Sequence, residues 1–171
     1  MALPGLLKPN FDQLNIALKL LEKCLLEDKQ ILIVGDFDAD GATASAVAIK
    51  ALRLMGAKHV DFLVPNRFKH GYGLSPEIVK EAKRDKEPDL IITVDNGISS
   101  NEGAELARSL GIDVIITDHH LPPNELPNAN AIINPNLRGC DFPSKNLAGV
   151  GVCFYLFSSL KTYLTKQGYF E

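Results

Sequence analysis

Five short apolar runs punctuate the chain: Ile31–Val34, Val60–Val64, Leu90–Val94, Val114–Thr117 and Ala131–Ile133. They are rich in β-branched residues and largely continuous rather than alternating, the pattern of strands buried on both faces of a parallel sheet. Between them, apolar positions recur at helical spacing. Leu14, Leu18, Leu21 and Leu25 form one stripe, and Asn10 with Gln13 reads as a capping box ahead of it. A second helix opens at Gly41, carries Ala44, Ala46, Ala48 and Ala51, and closes at Gly56. Ser75-Pro76 predicts an N-cap followed by proline in the first turn. Ser99 with Glu102 predicts another capping box, and Gly111 a C-cap.

The order α-β-α-β-α-β-α-β-β-α predicts an α/β fold: an open, mostly parallel five-stranded Rossmann-like sheet with helices on both faces. The stretch Val150–Leu164 is apolar on more than one face, which a buried helix would be. It either docks on this sheet or is covered by an element outside these residues.

Composition narrows the class. The chain has 171 residues, 46% of them hydrophobic, enough for one domain with a sizeable core. The formal net charge is −3, so no basic field announces a nucleic-acid partner. No apolar run approaches the roughly 18–20 residues of a membrane helix, and Met1–Pro9 lacks signal-peptide character. Cys24, Cys140 and Cys153 are odd in number and lack C-x-x-C spacing. They read as free thiols of a reducing compartment, so the expected location is the cytoplasm.

The chemistry concentrates at strand ends. Gly35-Asp36-Phe37-Asp38-Ala39-Asp40-Gly41 follows the first apolar run and precedes a helix, the βα turn where open α/β sheets bind ligands. Three carboxylates so close repel one another, and a divalent cation keeps them ionised. An EF-hand is excluded: its twelfth position, a glutamate, is Val47 here, and the flanks are strand and helix. An aspartyl-nucleophile phosphatase pattern fails at Asp40. A solvated acidic turn with helix-capping aspartates remains the bland alternative. Against it, Asp95 ends the third run, and Asp118-His119-His120 ends the fourth. Oxygen donors with one or two imidazoles favour Mn²⁺, with Mg²⁺ a substitute, over structural zinc. Two such ions, roughly 3.5–4 Å apart, suit phosphoester hydrolysis.

With Asp36-x-Asp38-x-Asp40-Gly41, Asp95-Asn96-Gly97 and Asp118-His119-His120 in view, the chain resembles the DHH phosphoesterase superfamily. Within it, the chain is similar to the RecJ-like exonucleases. Val64-Pro-Asn-Arg-Phe68, Gly71-Tyr-Gly-Leu74, Ile133-Asn-Pro135 and Leu147-Ala-Gly-Val-Gly-Val152 carry that likeness further. Val34 stands where many other superfamily members have a histidine, a departure that suits this branch.

The resemblance implies 5′→3′ hydrolysis of single-stranded DNA in repair and recombination. It implies Mn²⁺ or Mg²⁺, two ions in the complete enzyme, held by Asp36, Asp38, Asp40, Asp95 and His119. The catalytic set it implies is Asp38, Asp40, Asp95, Asp118, His119 and His120; which of Asp36, Asp118 and His120 ligate directly is left open. Asn66, Arg67 and Tyr72 would touch the DNA backbone or its 5′ phosphate. Single-stranded DNA is the expected partner, with single-strand-binding protein and a RecQ-type helicase for the whole protein, and no membrane. Residues 1–171 are expected to be the N-terminal lobe of a DHH-type catalytic domain, with a connecting helix starting at about 147–166. The fourth metal motif, the DHH-associated domain and the OB-type domain of that family lie outside this sequence, so this core is expected to be inactive or weakly active alone. The alternatives are another DHH phosphoesterase, acting on oligonucleotides or cyclic dinucleotides, and a non-catalytic replication or repair scaffold. The five aspartates of the motifs outweigh the whole −3, so the acidity does not argue against DNA.

Overall fold

The computed structural model describes residues 6–170, apart from the side chains of Arg67 and Lys69. The elements are α1 (Leu14–Leu26), β1 (Ile31–Gly35), α2 (Ala39–Leu54), β2 (Val60–Leu63), α3 (Arg67–His70), α4 (Pro76–Asp85), β3 (Leu90–Val94), α5 (Asn101–Ser109), β4 (Asp113–Thr117), β5 (Ala131–Ile133) and α6 (Gly149–Lys166). The strands form one parallel sheet in the order β2-β1-β3-β4-β5. The order reverses between β1 and β3, and such a switch point opens a crevice at the carboxyl ends of the strands. Register places the chemistry there. Gly35 pairs with Val94, and Val94 with Thr117, so Asp36, Asp95 and Asp118 emerge side by side.

One face of the sheet packs Ile31, Ile33, Leu90 and Ile92 against α1, α2 and α6; the other packs Leu32, Val34, Ile91 and Val114 against α4 and α5. β1 and β3 are buried throughout, as continuous apolar runs require. β2 departs from that expectation. It is an edge strand and its Phe62 is 54% exposed.

α6 docks on this domain. Val152, Cys153, Leu156, Leu160 and Leu164 are buried in the core shared with α1 and α2, which resolves the two readings of that stretch. Two capping expectations are corrected. Helix α1 starts after Gln13, whose side chain makes no cap; its Oε1 instead accepts the Ile132 N–H of β5 at 2.8 Å. Phe11, just upstream, stacks on Phe142 with ring centroids 4.6 Å apart. Helix α5 starts after Ser100, not Ser99, again without a side-chain cap, because Ser100 Oγ accepts the Leu74 N–H at 3.0 Å. Both polar side chains bond across the fold rather than along the helix. Ser75 caps α4 as expected, and Gly111, in the left-handed region, follows α5. The single turn α3 was not anticipated. Among the described residues no helix is long and apolar enough to cross a membrane.

Candidate metal centre

Five aspartates and two histidines gather at the switch point. Asp36 is buried, and its Oδ1 accepts its neighbour's N–H, that of Phe37, at 2.7 Å. Asp38 caps α2 by accepting the Gly41 N–H at 2.9 Å. Only glycine fits at 41, since a Cβ there would lie 2.5 Å from the Asp36 carbonyl oxygen. That close approach folds the β1–α2 turn tightly enough to bring both carboxylates together.

Asp95 is buried more deeply than Asp36. It is 1% exposed and adopts a left-handed backbone (φ 62°), a conformation aspartate tolerates better than most residues. Its Oδ1 has no hydrogen-bond partner, although His119 Nε2 lies 3.1 Å away; that contact lacks hydrogen-bond alignment. Donor atoms of Asp36, Asp38 and Asp95 all lie within 4.8 Å of one another, and so do those of Asp95, His119 and His120. Asp95 belongs to both groups.

The other two predicted carboxylates do different work. Asp40 caps a helix across the fold, accepting the Gly149 N–H at 2.8 Å and the Val150 N–H at 2.9 Å; His119 Nε2 is 4.0 Å from it. Asp118 is 1% exposed, and both of its oxygens accept hydrogen bonds. Its Oδ2 accepts the Ile98 N–H at 2.9 Å, and its Oδ1 the His119 N–H at 2.8 Å and the His120 N–H at 3.2 Å. His120 Nδ1 also sits 2.6 Å from that Oδ1. An ionised carboxylate only accepts, so Nδ1 carries the proton. Asp118 therefore orients the His120 imidazole and holds the backbone of the His119–His120 turn, a common task of a carboxylate behind a histidine.

Burial, followed by the negative charges of Asp40 and Asp38, pushes the Asp95 carboxyl up to about 7. For His120, burial disfavours the imidazolium, but the hydrogen bond and charge of Asp118 outweigh it and raise the pKa. Burial and then the charge of Asp36 push the Tyr72 phenol up, so it stays protonated. An orphaned, buried carboxylate oxygen amid like charges fits a hard divalent cation. Oxygen and imidazole donors point to Mn²⁺ or Mg²⁺. Burial pushes the Cys153 thiol up to about 12 and that of Cys24 up to about 11, and both lie in the hydrophobic core.

Beside the centre opens a cleft of about 280 Å³ between Tyr72 and the Gly97–Ser100 turn, with Asp118 and His120 in its wall. Tyr72 stands edge-on to His120, ring centroids 6.3 Å apart at 88°. Asn66 is exposed, but its Oδ1 caps α3 at the Phe68 N–H. The Arg67 side chain lies outside the described residues.

Sequence reasoning missed several supporting residues. Asn96 Nδ2 donates to the carbonyls of Val34 and Val94, joining the ends of β1 and β3. Asn134 Nδ2 donates to the His120 carbonyl and Asn136 Nδ2 to that of His119, anchoring the histidine loop. The signal available was a polar residue directly after an apolar run, Asn134 after Ile133 as Asp95 after Val94. Gly149 was legible only as part of the Leu147–Val152 segment, yet a Cβ there would lie 2.2 Å from Asp95 Oδ1.

Residues 30–169 match the DHH family, N-terminal domain. A single-stranded-DNA-specific exonuclease RecJ from Escherichia coli (strain K12) is 59% identical over 155 residues, which cover 91% of this chain and 27% of that protein. A crystal structure of exonuclease RecJ bound to manganese superposes with a TM-score of 0.78 at 38% identity, covering 96% of this chain and 40% of the other. A crystal structure of RecJ in complex with Mn²⁺ from Thermus thermophilus gives 0.79 at 33% identity, covering 95% and 22%. The chain thus spans about a quarter of the length of the E. coli relative.

Proposed function

Because the chain belongs to the DHH family, we propose that it forms the metal-dependent phosphodiesterase core of a 5′→3′ single-stranded-DNA exonuclease acting in DNA repair and recombination. The observation that carries this reading is the unpartnered Oδ1 of buried Asp95, shared by the Asp36–Asp38 group and the His119–His120 group. A cation pair would be held by Asp36, Asp38, Asp95 and His119, with Asp40 at the border. Bound there, Mn²⁺ or Mg²⁺ supplies Lewis acidity to the phosphate and a nucleophile from water at neutral pH.

The protein's own groups do the rest. Asp118 accepts the His119 backbone N–H and fixes the His120 ring through its Nδ1–H, and the raised His120 pKa favours the cationic form at the cleft wall where a phosphodiester would lie. Tyr72, kept protonated, offers an O–H donor and a ring face to a single-stranded base or sugar. Asn66 and Arg67 precede it in the same segment and would meet the backbone phosphates. The likeness to the E. coli exonuclease supports this substrate class. With it go, as parts of the same proposal, a cytoplasmic location, single-strand-binding protein and a RecQ-type helicase as partners, and a place for this domain as the N-terminal lobe of a DHH-type catalytic unit.

The test is to offer the intact enzyme 5′-labelled single strands, duplex and dinucleotides with Mn²⁺. Release of 5′ mononucleotides from single strands alone is the expected result. Preference for dinucleotides would make it a different DHH phosphoesterase, and no hydrolysis with full Mn²⁺ binding would make it a scaffold.

A further inference from the structure

A buried histidine lies outside the metal centre, in the segment that leads to the cleft wall. His70 ends α3, and its Nδ1 accepts the backbone N–H of Asn66 at 3.0 Å. Nδ1 therefore carries no proton, and Nε2 holds it. Nε2 lies 2.9 Å from Oε2 of Glu81 on α4, so it donates there. The two side chains are 5% and 20% exposed, and a charge-assisted bond so shielded from water is a strong one.

A helix of four residues cannot hold its own shape, and Gly71 and Gly73, at φ 73° and 71°, leave the chain beyond it free to turn. The imidazole ties that turn to α4, while Ser100 Oγ grips the Leu74 N–H downstream. Between these two anchors stands Tyr72, edge-on to His120.

We propose that His70, bridging the Asn66 N–H and the Glu81 carboxylate, is a positioning residue that sets Tyr72 against His120 and thereby tunes the grip of the cleft on single-stranded DNA. This rests on the substrate reading above.

The experiment compares the parent with His70→Ala and His70→Gln, whose amide offers an acceptor and a donor at about the spacing of the ring nitrogens. Nitrogen NMR of the parent should show His70 unprotonated at Nδ1 and protonated at Nε2. In His70→Ala the Tyr72–His120 ring contact, read as cross-peaks, should vanish. Affinity for a 5′-phosphorylated oligothymidylate in Mg²⁺ should fall about tenfold. Mn²⁺ affinity should stay within about twofold, and His70→Gln should restore oligonucleotide affinity to within about threefold.

A protonated Nδ1 in the parent overturns the proposal, even if His70→Ala fails to fold. So does His70→Ala with the ring contact and affinity intact, and so does loss of Mn²⁺ binding in both variants, which would make His70 a folding residue only. If the parent binds no oligonucleotide, the substrate reading falls, and the ring contact in His70→Ala alone decides whether His70 positions Tyr72.

Discussion

Asp40 closes the N-terminus of α6 by accepting the Gly149 N–H at 2.8 Å, across 109 positions of sequence. The first βα turn is thereby tied to the last helix, and the same carboxylate faces His119. Asp40→Ala should lower stability in metal-free buffer by about 1–2 kcal/mol, the worth of a helix cap. That is a drop of roughly 3–6 °C in Tm for a domain of this size. Amide exchange of Val150 and Gly151 should accelerate in the variant. An unchanged Tm and unchanged exchange would mean that the contact contributes nothing to docking.

Asp95→Asn should move stability and function in opposite directions. Removing a buried, repelled charge should raise the metal-free Tm by roughly 2–6 °C. The same change should abolish the Tm rise that Mn²⁺ gives the parent, because the shared ligand loses its charge. Calorimetric melting with chelator and with Mn²⁺ checks both. A variant that still gains stability from Mn²⁺ would displace Asp95 from the centre.

Gly149→Ala tests the site without touching a donor atom. The added Cβ would fall 2.2 Å from Asp95 Oδ1, so α6 or the carboxylate must shift. Overpacking of this kind costs about 1–3 kcal/mol, and Mn²⁺ affinity should weaken at least about tenfold through the displaced ligand. Titration calorimetry on the folded variant reads the affinity directly.

The thiols give a pH dependence. Burial, then the charges of Asp113 and Asp89, raises Cys24 to about 11, and burial raises Cys153 to about 12. Both folded values lie above the ordinary thiol range. The stability they contribute is complete below about pH 9 and is lost as pH climbs through their folded values, since the unfolded thiols ionise first. Urea midpoints should fall between pH 9 and 11, and fall less in Cys153→Ala. At pH 8 a water-soluble alkylating reagent should modify Cys140, which is half-buried, well ahead of Cys24 and Cys153.

Much of this fold is written locally. The runs Ile31–Val34, Leu90–Val94 and Val114–Thr117 read as strands because a strand buried on both faces needs a continuous apolar stretch, and their acidic successors could be placed at strand ends by position alone. Gly111 was legible because its backbone demand is local, whereas Gly41, read as the helix start, lies inside α2, which begins at Ala39. Asp36, Asp38, Asp95 and His119 could be nominated because residue type at a βα turn restricts the chemistry open to it.

What periodicity could not carry is which strand lies beside which, since apolar patterning is the same for every neighbour. The order β2-β1-β3-β4-β5 sets Asp36, Asp95 and Asp118 in one row. Asp118 reads like Asp95 in sequence, yet backbone N–H groups and His120 consume its oxygens, while Asp95 is left with one bare. The same holds for Gln13 and Ser100, whose hydrogen bonds reach distant strands and loops instead of their own helices. Residue type and local spacing determined the elements and the chemical class of this protein. The division of labour among its carboxylates was decided by hydrogen bonds and burial between segments far apart in the chain, which exist only once the sheet has assembled.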